Sequence, residues 1–515
     1  MANHLEQAPS RLSKLVYAGA LAAALSIWTL ALRAPLWLDE TLAYWQVSGG
    51  FGKVWSRSAL MPSSIGYLYT LCAAKSVLGS SEIALKIPSL FALLGAVYFL
   101  FRGAREFLGT EMAFLAAVFF ALHYNVVFAA TDARPYAFAL LATTLAIDAF
   151  ICWMKRGMMR DAVLFGAAAA GILYFHYLFG SILPAFAIYY LAARHRSFKD
   201  DACQLAAGLV TFSVLIIPLV LRVASLYRTR GTHIVQAVHH PVFLSLNTLA
   251  PLQLVIGFVA VVFLAALLRK VKIPGREGAL LVALLGLVPA AILCGLDAAT
   301  PMNLIQARYF VVVAPGSALI WVWLTSSIDS RLLRQIFCVG LVAVTVFEAY
   351  RSPASRRHEI NFKEAHAFVN SNAAADDAPV LVFSAFIESD YEPLPHAPAS
   401  ENALLSQIDY YPIHQAWIFL PIDLNEKTTQ IARQAVLTAA RRHQRFVAVV
   451  PPSSYPSLDW LADFTRGAFT VQTLGVFDRA IMVVEFRPLD FGKRVDDVTG
   501  FPKSKERIPA AKPFV

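Results

Sequence analysis

The chain has 515 residues, of which 58% are hydrophobic and 15% are charged, and its mean hydropathy is +0.58. Soluble domains average about 45–50% apolar and about 25% charged residues, so this composition excludes a disordered chain, a disulfide-rich secreted mini-protein and an ordinary cytosolic enzyme. The formal net charge of +10 fits either a nucleic-acid binder or a membrane protein, and its location must decide between them. The five cysteines lie in apolar stretches without motif spacing, so they predict neither disulfides nor a zinc site.

Long apolar runs dominate the first 350 residues. A spanning helix needs about 20 mostly apolar residues. On this criterion we predict eleven spans: 14–33, 87–106, 111–129, 136–154, 162–176, 178–193, 203–222, 249–268, 278–297, 309–327 and 332–350. The first span follows Arg11 and Lys14 and has no A-x-A cleavage signal, which indicates a retained anchor.

Residues 64–79 are apolar but short, and Lys75 interrupts them. If they do not span, most loop lysines and arginines fall on the cytoplasmic side, as the positive-inside rule requires. We therefore predict a helix lying at, or dipping into, the outer membrane face. The basic excess then reflects orientation rather than nucleic-acid binding.

The chain after residue 351 changes character. Strand-like and helical runs alternate there, which predicts a small α/β domain on the outer side. The strand-like runs are 379–385, 415–422, 445–452 and 479–488, and the helical ones are 361–372 and 427–443. The predicted organisation is a membrane module over 1–351 with a first outer loop at 34–86, an α/β domain over 352–488, and a loose, Lys-rich tail over 489–515.

Two adjacent carboxylates, Asp39 and Glu40, follow the first span directly. Carboxylates near lipid are costly unless they are solvated or used, so both are candidate catalytic groups. The alternative is structural: Asp39 caps a short interfacial helix and Glu40 favours its positive end, while Trp37, Tyr44 and Trp45 belong to an aromatic belt.

A second outer loop contains Asp132-Ala-Arg134-Pro135-Tyr136. Its structural interpretation is an Asp132 cap on a helix that begins near Pro135, with Arg134 in a salt bridge. The functional interpretation is a second acidic site on the face that carries Asp39.

Other outer-face groups point to an anionic ligand. Arg308, beside Tyr309, runs against the charge bias and needs an anionic partner, either a lipid headgroup phosphate or a substrate phosphate. His176 lies in an aromatic turn and serves either packing or catalysis. A weaker pattern is the loop with Arg228, Arg230 and the pair His239–His240, which suits an anionic acceptor. No spacing by itself predicts a metal site.

These patterns together resemble the GT-C superfamily of glycosyltransferases, with the closest similarity to glycosyltransferase family 39-like and aminoarabinose-transferase-like proteins of bacterial envelopes. The resemblance covers roughly residues 12–330. Its motifs are Leu36-Trp37-Leu38-Asp39-Glu40, then Leu78-Gly79 with Ser81-Glu82 and Pro88-Ser89, then Asp132-Ala-Arg134-Pro135-Tyr136. The chain departs from the family at Met61–Tyr67, where a His-Pro-Pro type signature is usual, and at Asp132, where many relatives carry Glu.

The resemblance implies a GT-C fold and transfer of a sugar from a polyprenyl-phosphate carrier to an acceptor on the outer face. It makes Asp39 the catalytic base, with Glu40 beside it. It places the donor on six residues: Asp132, Arg134, Tyr136, His176, Arg308 and Tyr309. A divalent cation, Mg²⁺ or Mn²⁺, at Asp39 and Asp132 is compatible with this set.

The expected fold is thus a polytopic α-helical membrane protein with interfacial helices and a C-terminal α/β periplasmic domain. The expected enzyme is an inverting glycosyltransferase in the bacterial inner membrane, with its N-terminus cytoplasmic. Its partners are the lipid-linked donor, membrane lipids and an envelope glycan, lipid or protein acceptor, and not nucleic acid. Three alternatives stay open: a lipid-linked-oligosaccharide ligase or polymerase, a transporter or flippase, and a structural or receptor protein. A transporter, however, places its ionisable groups near the bilayer midplane.

Overall fold

The computed structural model describes most of the chain. The described residues are 11–60, 64–194, 201–227, 259, 262–263, 266, 276–300, 304, 308–351, 362–373, 378–386, 389, 399–477 and 480–489. They form two compact units. The first unit comprises residues 1–34, 54–228 and 234–357, and the second comprises 35–53, 229–233 and 358–515. The clustering divides the later part of the chain between residues 357 and 358, and it groups the start of the first outer loop, 35–53, with the C-terminal residues.

Helices make up most of the described residues up to 351. In chain order they are α1 (Arg11–Leu30), α2 (Leu38–Ser48), α3 (Phe51–Leu60), α4 (Ile65–Leu78), α5 (Glu82–Leu108), α6 (Thr110–Leu122), α7 (Tyr124–Ala130), α8 (Tyr136–Arg156), α9 (Met159–Phe175), α10 (Leu183–Arg194), α11 (Ala202–Tyr227), α12 (Arg276–Ala299), α13 (Ala314–Ser326) and α14 (Arg331–Arg351). Short 3₁₀ segments, Tyr177–Ile182 and Phe310–Val313, precede α10 and α13.

Five helices are long and apolar enough to cross a membrane within the described residues, namely α5, α8, α11, α12 and α14. They correspond to five of the eleven predicted spans. A sixth, 111–129, is the pair α6 and α7, which is bent by 65°. At the break His123 has an extended backbone, and its Nδ1 accepts the Asn125 backbone N–H at 3.3 Å. A local cap of this kind ends one helix and starts the next, and apolar periodicity does not reveal it.

The remaining predicted spans have mixed outcomes. Four of them, 14–33, 162–176, 178–193 and 309–327, correspond to shorter or less apolar helical segments, and 249–268 lies almost wholly outside the described residues. The count of eleven stays a prediction. The segment predicted not to span is indeed a helix, α4, with 14 residues. At about 1.5 Å per residue it is too short for a hydrocarbon layer of about 30 Å.

Helix α8 lies at the centre of the membrane unit, between α5 and α9. Most of its side chains are buried, including the acidic Asp148. Helices α9 and α11 approach so closely that a Cβ on Gly166 would lie 2.2 Å from the backbone oxygen of Gly208. Small residues permit such backbone contact between apolar helices, and van der Waals packing then holds them together.

The second unit contains a five-stranded sheet. Its strands are β1 (Val380–Phe383), β2 (Trp417–Leu420), β3 (Phe446–Val450), β4 (Phe469–Phe477) and β5 (Ile481–Pro488). Their order is β2-β1-β3-β5-β4, in which β2, β1 and β3 are parallel and β5 runs antiparallel to β3 and β4. The associated helices are α15 (Lys363–Ala373), α16 (Ser406–Tyr410), α17 (Glu426–Arg441) and α18 (Tyr455–Thr465).

Apolar side chains of β1, β2, β3 and β5 and of α17 and α18 form one core. Phe383, Leu420, Val436, Leu461 and Phe486 are all members of it. The Asn425 side chain caps α17 by accepting the Thr428 backbone N–H at 2.9 Å, so the helix begins where the polar residue precedes its apolar stripe.

The four predicted strands and the two predicted helices of this domain are confirmed. The fold class, a helical membrane protein with a C-terminal α/β domain, is confirmed with them. Strand β4 and helix α18 were not predicted. Most side chains of β4 are exposed, and its pairing with β5 is irregular between Thr473 and Gly475, so the strand lacks a clean alternation of apolar and polar residues. The predicted tail lies outside the described residues, apart from Leu489.

Candidate active site

The first acidic motif lies at the start of α2. The N-cap of this helix is Trp37, and its backbone N–H donates to Glu40 Oε2 at 3.1 Å. Glu40 is fully buried, whereas Asp39 is partly exposed. Glu40 therefore satisfies an otherwise unpaired donor at the helix start. Asp39, the second residue of the helix, is not the cap that the structural interpretation required.

The second acidic motif precedes α8. The residue that caps this helix is Pro135, so Asp132 is not an N-cap here either. Asp132 is fully buried, and its backbone oxygen accepts the Ser89 hydroxyl at 2.6 Å. Ser89 belongs to the Pro88-Ser89 motif in α5, so the structure brings two of the quoted motifs into direct contact.

Aromatic rings gather around His176, between α9 and the 3₁₀ segment that follows. Its ring centroid lies 5.3 Å from that of Tyr136, 5.2 Å from that of Phe179 and 6.3 Å from that of Tyr309. His176 is only 9% exposed, and its Nδ1 has no hydrogen-bond partner among the described residues. This histidine is both packed and chemically available, so the two sequence interpretations are compatible.

Two arginines lie close enough to act electrostatically on this group. Arg134 and Arg308 both affect His176 and Tyr136, and Asp132 also affects Tyr136. The Arg308 guanidinium lies 5.1 Å from the centroid of the Tyr309 ring. All six residues predicted for donor binding thus come together within the membrane unit, from three loops that are far apart in sequence.

Sequence reasoning did not single out two buried cations of the same unit. Lys86 in α5 is fully buried, and its Nζ donates to the Ala34 backbone oxygen at 2.6 Å. Arg222 in α11 is 5% exposed and stacks over the Trp55 ring at 4.5 Å. A basic residue inside an apolar helix is the signal that identifies both.

Among the described residues, no cluster of three or more His, Cys, Asp or Glu has the arrangement of a metal site. Asp39 and Asp132 belong to different units, and the cation predicted there stays a prediction. The histidine and arginine pairs at 228–240 lie outside the described residues.

The fold is that of the GT-C membrane glycosyltransferases. The structure of ArnT from Cupriavidus metallidurans bound to undecaprenyl phosphate matches with a TM-score of 0.53 at 12% sequence identity, over 92% of this chain and 98% of that one. The arabinofuranosyltransferase AftD from Mycobacteria matches with a TM-score of 0.48 at 14% identity, over 94% of this chain and 40% of that one. The Archaeoglobus fulgidus oligosaccharyltransferase in complex with Zn and sulfate scores 0.45 at 12% identity, over 88% and 72%. The last two scores are below 0.5, so the fold assignment rests on ArnT.

Residues 62–221 match the family described as dolichyl-phosphate-mannose-protein mannosyltransferase. No curated protein has a matching sequence. The family match over residues 62–221 and the fold both agree with the motifs that predict a GT-C superfamily glycosyltransferase.

Proposed function

We propose that this protein is an inverting glycosyltransferase that moves a sugar from a polyprenyl-phosphate donor to an envelope acceptor on the periplasmic face of the bacterial inner membrane. Asp39 is the base, and Arg134 and Arg308 bind the donor phosphate. The acceptor is a lipopolysaccharide or other glycolipid, a polysaccharide or a protein. The observation that carries the proposal is the cluster of Arg134, Arg308 and His176 around the Tyr136 ring, within a unit of apolar helices.

The chemistry makes three demands on such a site. As the bond between the sugar and the phosphate breaks, the phosphate gains negative charge, and nearby arginines stabilise it. The acceptor hydroxyl loses its proton as it bonds to the anomeric carbon, and a carboxylate takes that proton. The lipid tail needs an apolar surface, which the membrane helices provide. Attack from the face opposite the phosphate inverts the anomeric centre.

The two aspartates suit different tasks. Asp39 is partly exposed and not engaged as a helix cap, as a base that meets an incoming acceptor must be. Asp132 is fully buried beside the arginines, where a carboxylate orients cations rather than exchanging protons with solvent. Glu40 supports the helix start and is assigned no proton transfer.

Transfer of radiolabelled undecaprenyl-phosphate hexoses and pentoses to envelope extracts, measured in proteoliposomes, tests this proposal. We expect label in one product, and Asp39→Asn should lower the rate by about 10²–10⁴-fold, the usual contribution of a positioned base. Asp459→Asn, an exposed aspartate in α18, is the matched control and should leave the rate unchanged. Full activity of a folded Asp39→Asn protein would exclude the base assignment.

The same assay separates the alternative functions. A ligase or polymerase releases a product enlarged by a whole glycan rather than by one sugar. A transporter or flippase moves the labelled lipid across the bilayer without breaking its glycosidic bond. A structural protein gives no labelled product with any donor.

A further inference from the structure

The segment that carries Asp39 is tied to C-terminal residues by several side chains. The backbone N–H of Leu36 donates to the Tyr411 hydroxyl at 2.8 Å. The indole N–H of Trp45 donates to the backbone oxygen of Ser400 at 3.1 Å. These two bonds hold the chain just before α2 and near its end.

The middle of α2 is held as well. The hydroxyls of Thr41 and Ser406 lie 3.3 Å apart, and both residues are buried. The rings of Tyr44 and Tyr410 meet edge to face with centroids 4.6 Å apart. Edge-to-face pairs add specific stabilisation beyond the area they bury. One face of α2 thus rests on α16.

Tyr411 is itself fixed to the sheet domain. Its backbone oxygen accepts His366 Nδ1–H at 2.6 Å, and His366 lies on α15. On the same helix, the Asn370 amide donates to the Pro412 oxygen at 2.9 Å, and its Oδ1 accepts the His414 backbone N–H at 3.0 Å. Since α15 packs against β3, β4 and β5, an unbroken set of contacts runs from the sheet through Tyr411 to Leu36.

We propose that the C-terminal domain positions the start of α2. In this arrangement Tyr411 fixes the backbone that presents Asp39. The proposal rests on the role of Asp39 proposed above. Tyr411 is a positioning residue, because it contacts the backbone of Leu36 and not the reacting groups. Displacing a catalytic group by about 1 Å costs on the order of 10²-fold in rate. Loss of one backbone hydrogen bond that holds Asp39 in place can therefore change the rate measurably.

Tyr411→Phe removes only the hydroxyl that holds Leu36. Tyr455→Phe is the matched control, since the Tyr455 hydroxyl also donates a bond within this unit, to the Ala480 backbone oxygen. Hydrogen exchange of the full-length protein in lipid nanodiscs, followed by mass spectrometry, reports the peptide covering 35–48. We expect about five- to tenfold faster exchange there in Tyr411→Phe, the effect of one neutral hydrogen bond, and no change in Tyr455→Phe.

Turnover is measured on the same two variants with the undecaprenyl-phosphate sugar that the wild type uses. Tyr411→Phe should lower kcat by roughly ten- to a hundredfold with KM for the donor unchanged. Wild-type exchange at 35–48 together with wild-type kcat overturns the proposal, and so does faster exchange spread equally over the α17 and α18 peptides. Asp39→Asn with full turnover refutes the proposed base instead, and the exchange measurement still decides whether the domain holds the loop.

Discussion

The two ends of α8 use charged residues in opposite ways. At its C-terminal end, Asp148 pairs with Arg102, and Arg156 pairs with Glu106 at 3.2 Å. Asp161, at the start of α9, pairs with Arg160 at 3.2 Å. These residues line a cavity of about 290 Å³. The acidic and basic side chains at this end neutralise each other, which is typical of ion pairs that stabilise the fold.

At the N-terminal end of α8 the charged groups surround aromatic rings. Arg134 and Arg308 act on Tyr136 and His176, and His176 keeps one ring nitrogen without a partner among the described residues. Charged residues that neutralise each other stabilise the fold, and we propose that the same residue types act in turnover where they surround a partly unsatisfied group. Variants at one end should therefore alter stability, and variants at the other should alter turnover.

The largest effect is expected at the N-terminal end. Arg134→Gln and Arg308→Gln each remove a cation from the proposed phosphate site, and each should lower kcat by about 10²–10³-fold. The melting temperature in detergent should change little. Arg331→Gln, an exposed arginine at the start of α14, is the control and should keep full turnover. If all three variants lost the same factor in kcat, the arginines at the N-terminal end of α8 would have no special role in turnover.

The opposite result is expected for Asp148. Its carboxylate is fully buried and bonded to Arg102, whose side chain is 35% exposed, so Asp148→Ala leaves that arginine without its partner and should cost about 1.5–3 kcal/mol of stability. Thermal unfolding measures the loss, and turnover per folded molecule should stay near the wild-type value. The double variant Arg102→Met/Asp148→Leu should recover most of the stability, because no lone charge is left. A double variant as unstable as the single one would contradict this account.

A buried histidine in the C-terminal domain sharpens the comparison with His176. Burial lowers the pKa of His366 from 6.5 to about 4, although its bond to the Tyr411 oxygen acts in the opposite direction. The unfolded state binds a proton below pH 6.5 that the folded state does not bind until about pH 4. Stability is therefore complete above pH 6.5 and falls by up to about 1.4 kcal/mol per pH unit between these values.

Hydrogen exchange of the domain peptides between pH 6.5 and pH 4.5, corrected for intrinsic exchange rates, measures that slope. In His366→Gln the slope should become smaller, whereas in His414→Gln, which changes an exposed histidine, it should stay as in the wild type. Identical slopes in all three proteins would show that His366 titrates alike in both states.

The smallest effect is expected for an exposed ion pair. Arg466 and Asp463 lie one turn apart at the end of α18, with side chains 81% and 69% exposed. Such pairs contribute about 0–1 kcal/mol, so Arg466→Ala should move the melting temperature by no more than a degree or two. A shift in melting temperature as large as that of Asp148→Ala would mean that an exposed ion pair stabilises this protein as much as a buried one.

Much of the fold was readable from the sequence because its elements are strongly patterned. The apolar runs at 87–106 and 136–154 are long, and the short apolar runs between helical patterns predicted the parallel strands. The break at His123 was hidden because a local cap interrupts a run whose composition does not change. Strand β4 was hidden because an exposed edge strand needs no apolar face.

The candidate site was readable in part. The motifs supplied the six residues that gather in the membrane unit. They did not show whether Asp39 or Glu40 stabilises the start of α2. That distinction needed the hydrogen bond between Glu40 and Trp37, since a carboxylate at either position satisfies the same sequence pattern. The contact of α2 with the C-terminal residues was beyond sequence reasoning. It depends on hydroxyl groups such as Tyr411 and Ser406, which lie in no motif.

The bond between Leu36 and Tyr411 joins residues 375 positions apart, which has a consequence for biosynthesis. The ribosome therefore makes the segment that carries Asp39 long before it makes Tyr411. A nascent or prematurely terminated chain therefore contains the carboxylate but lacks what fixes it. The bond that holds the backbone before α2 can therefore form only after Tyr411 has been synthesised.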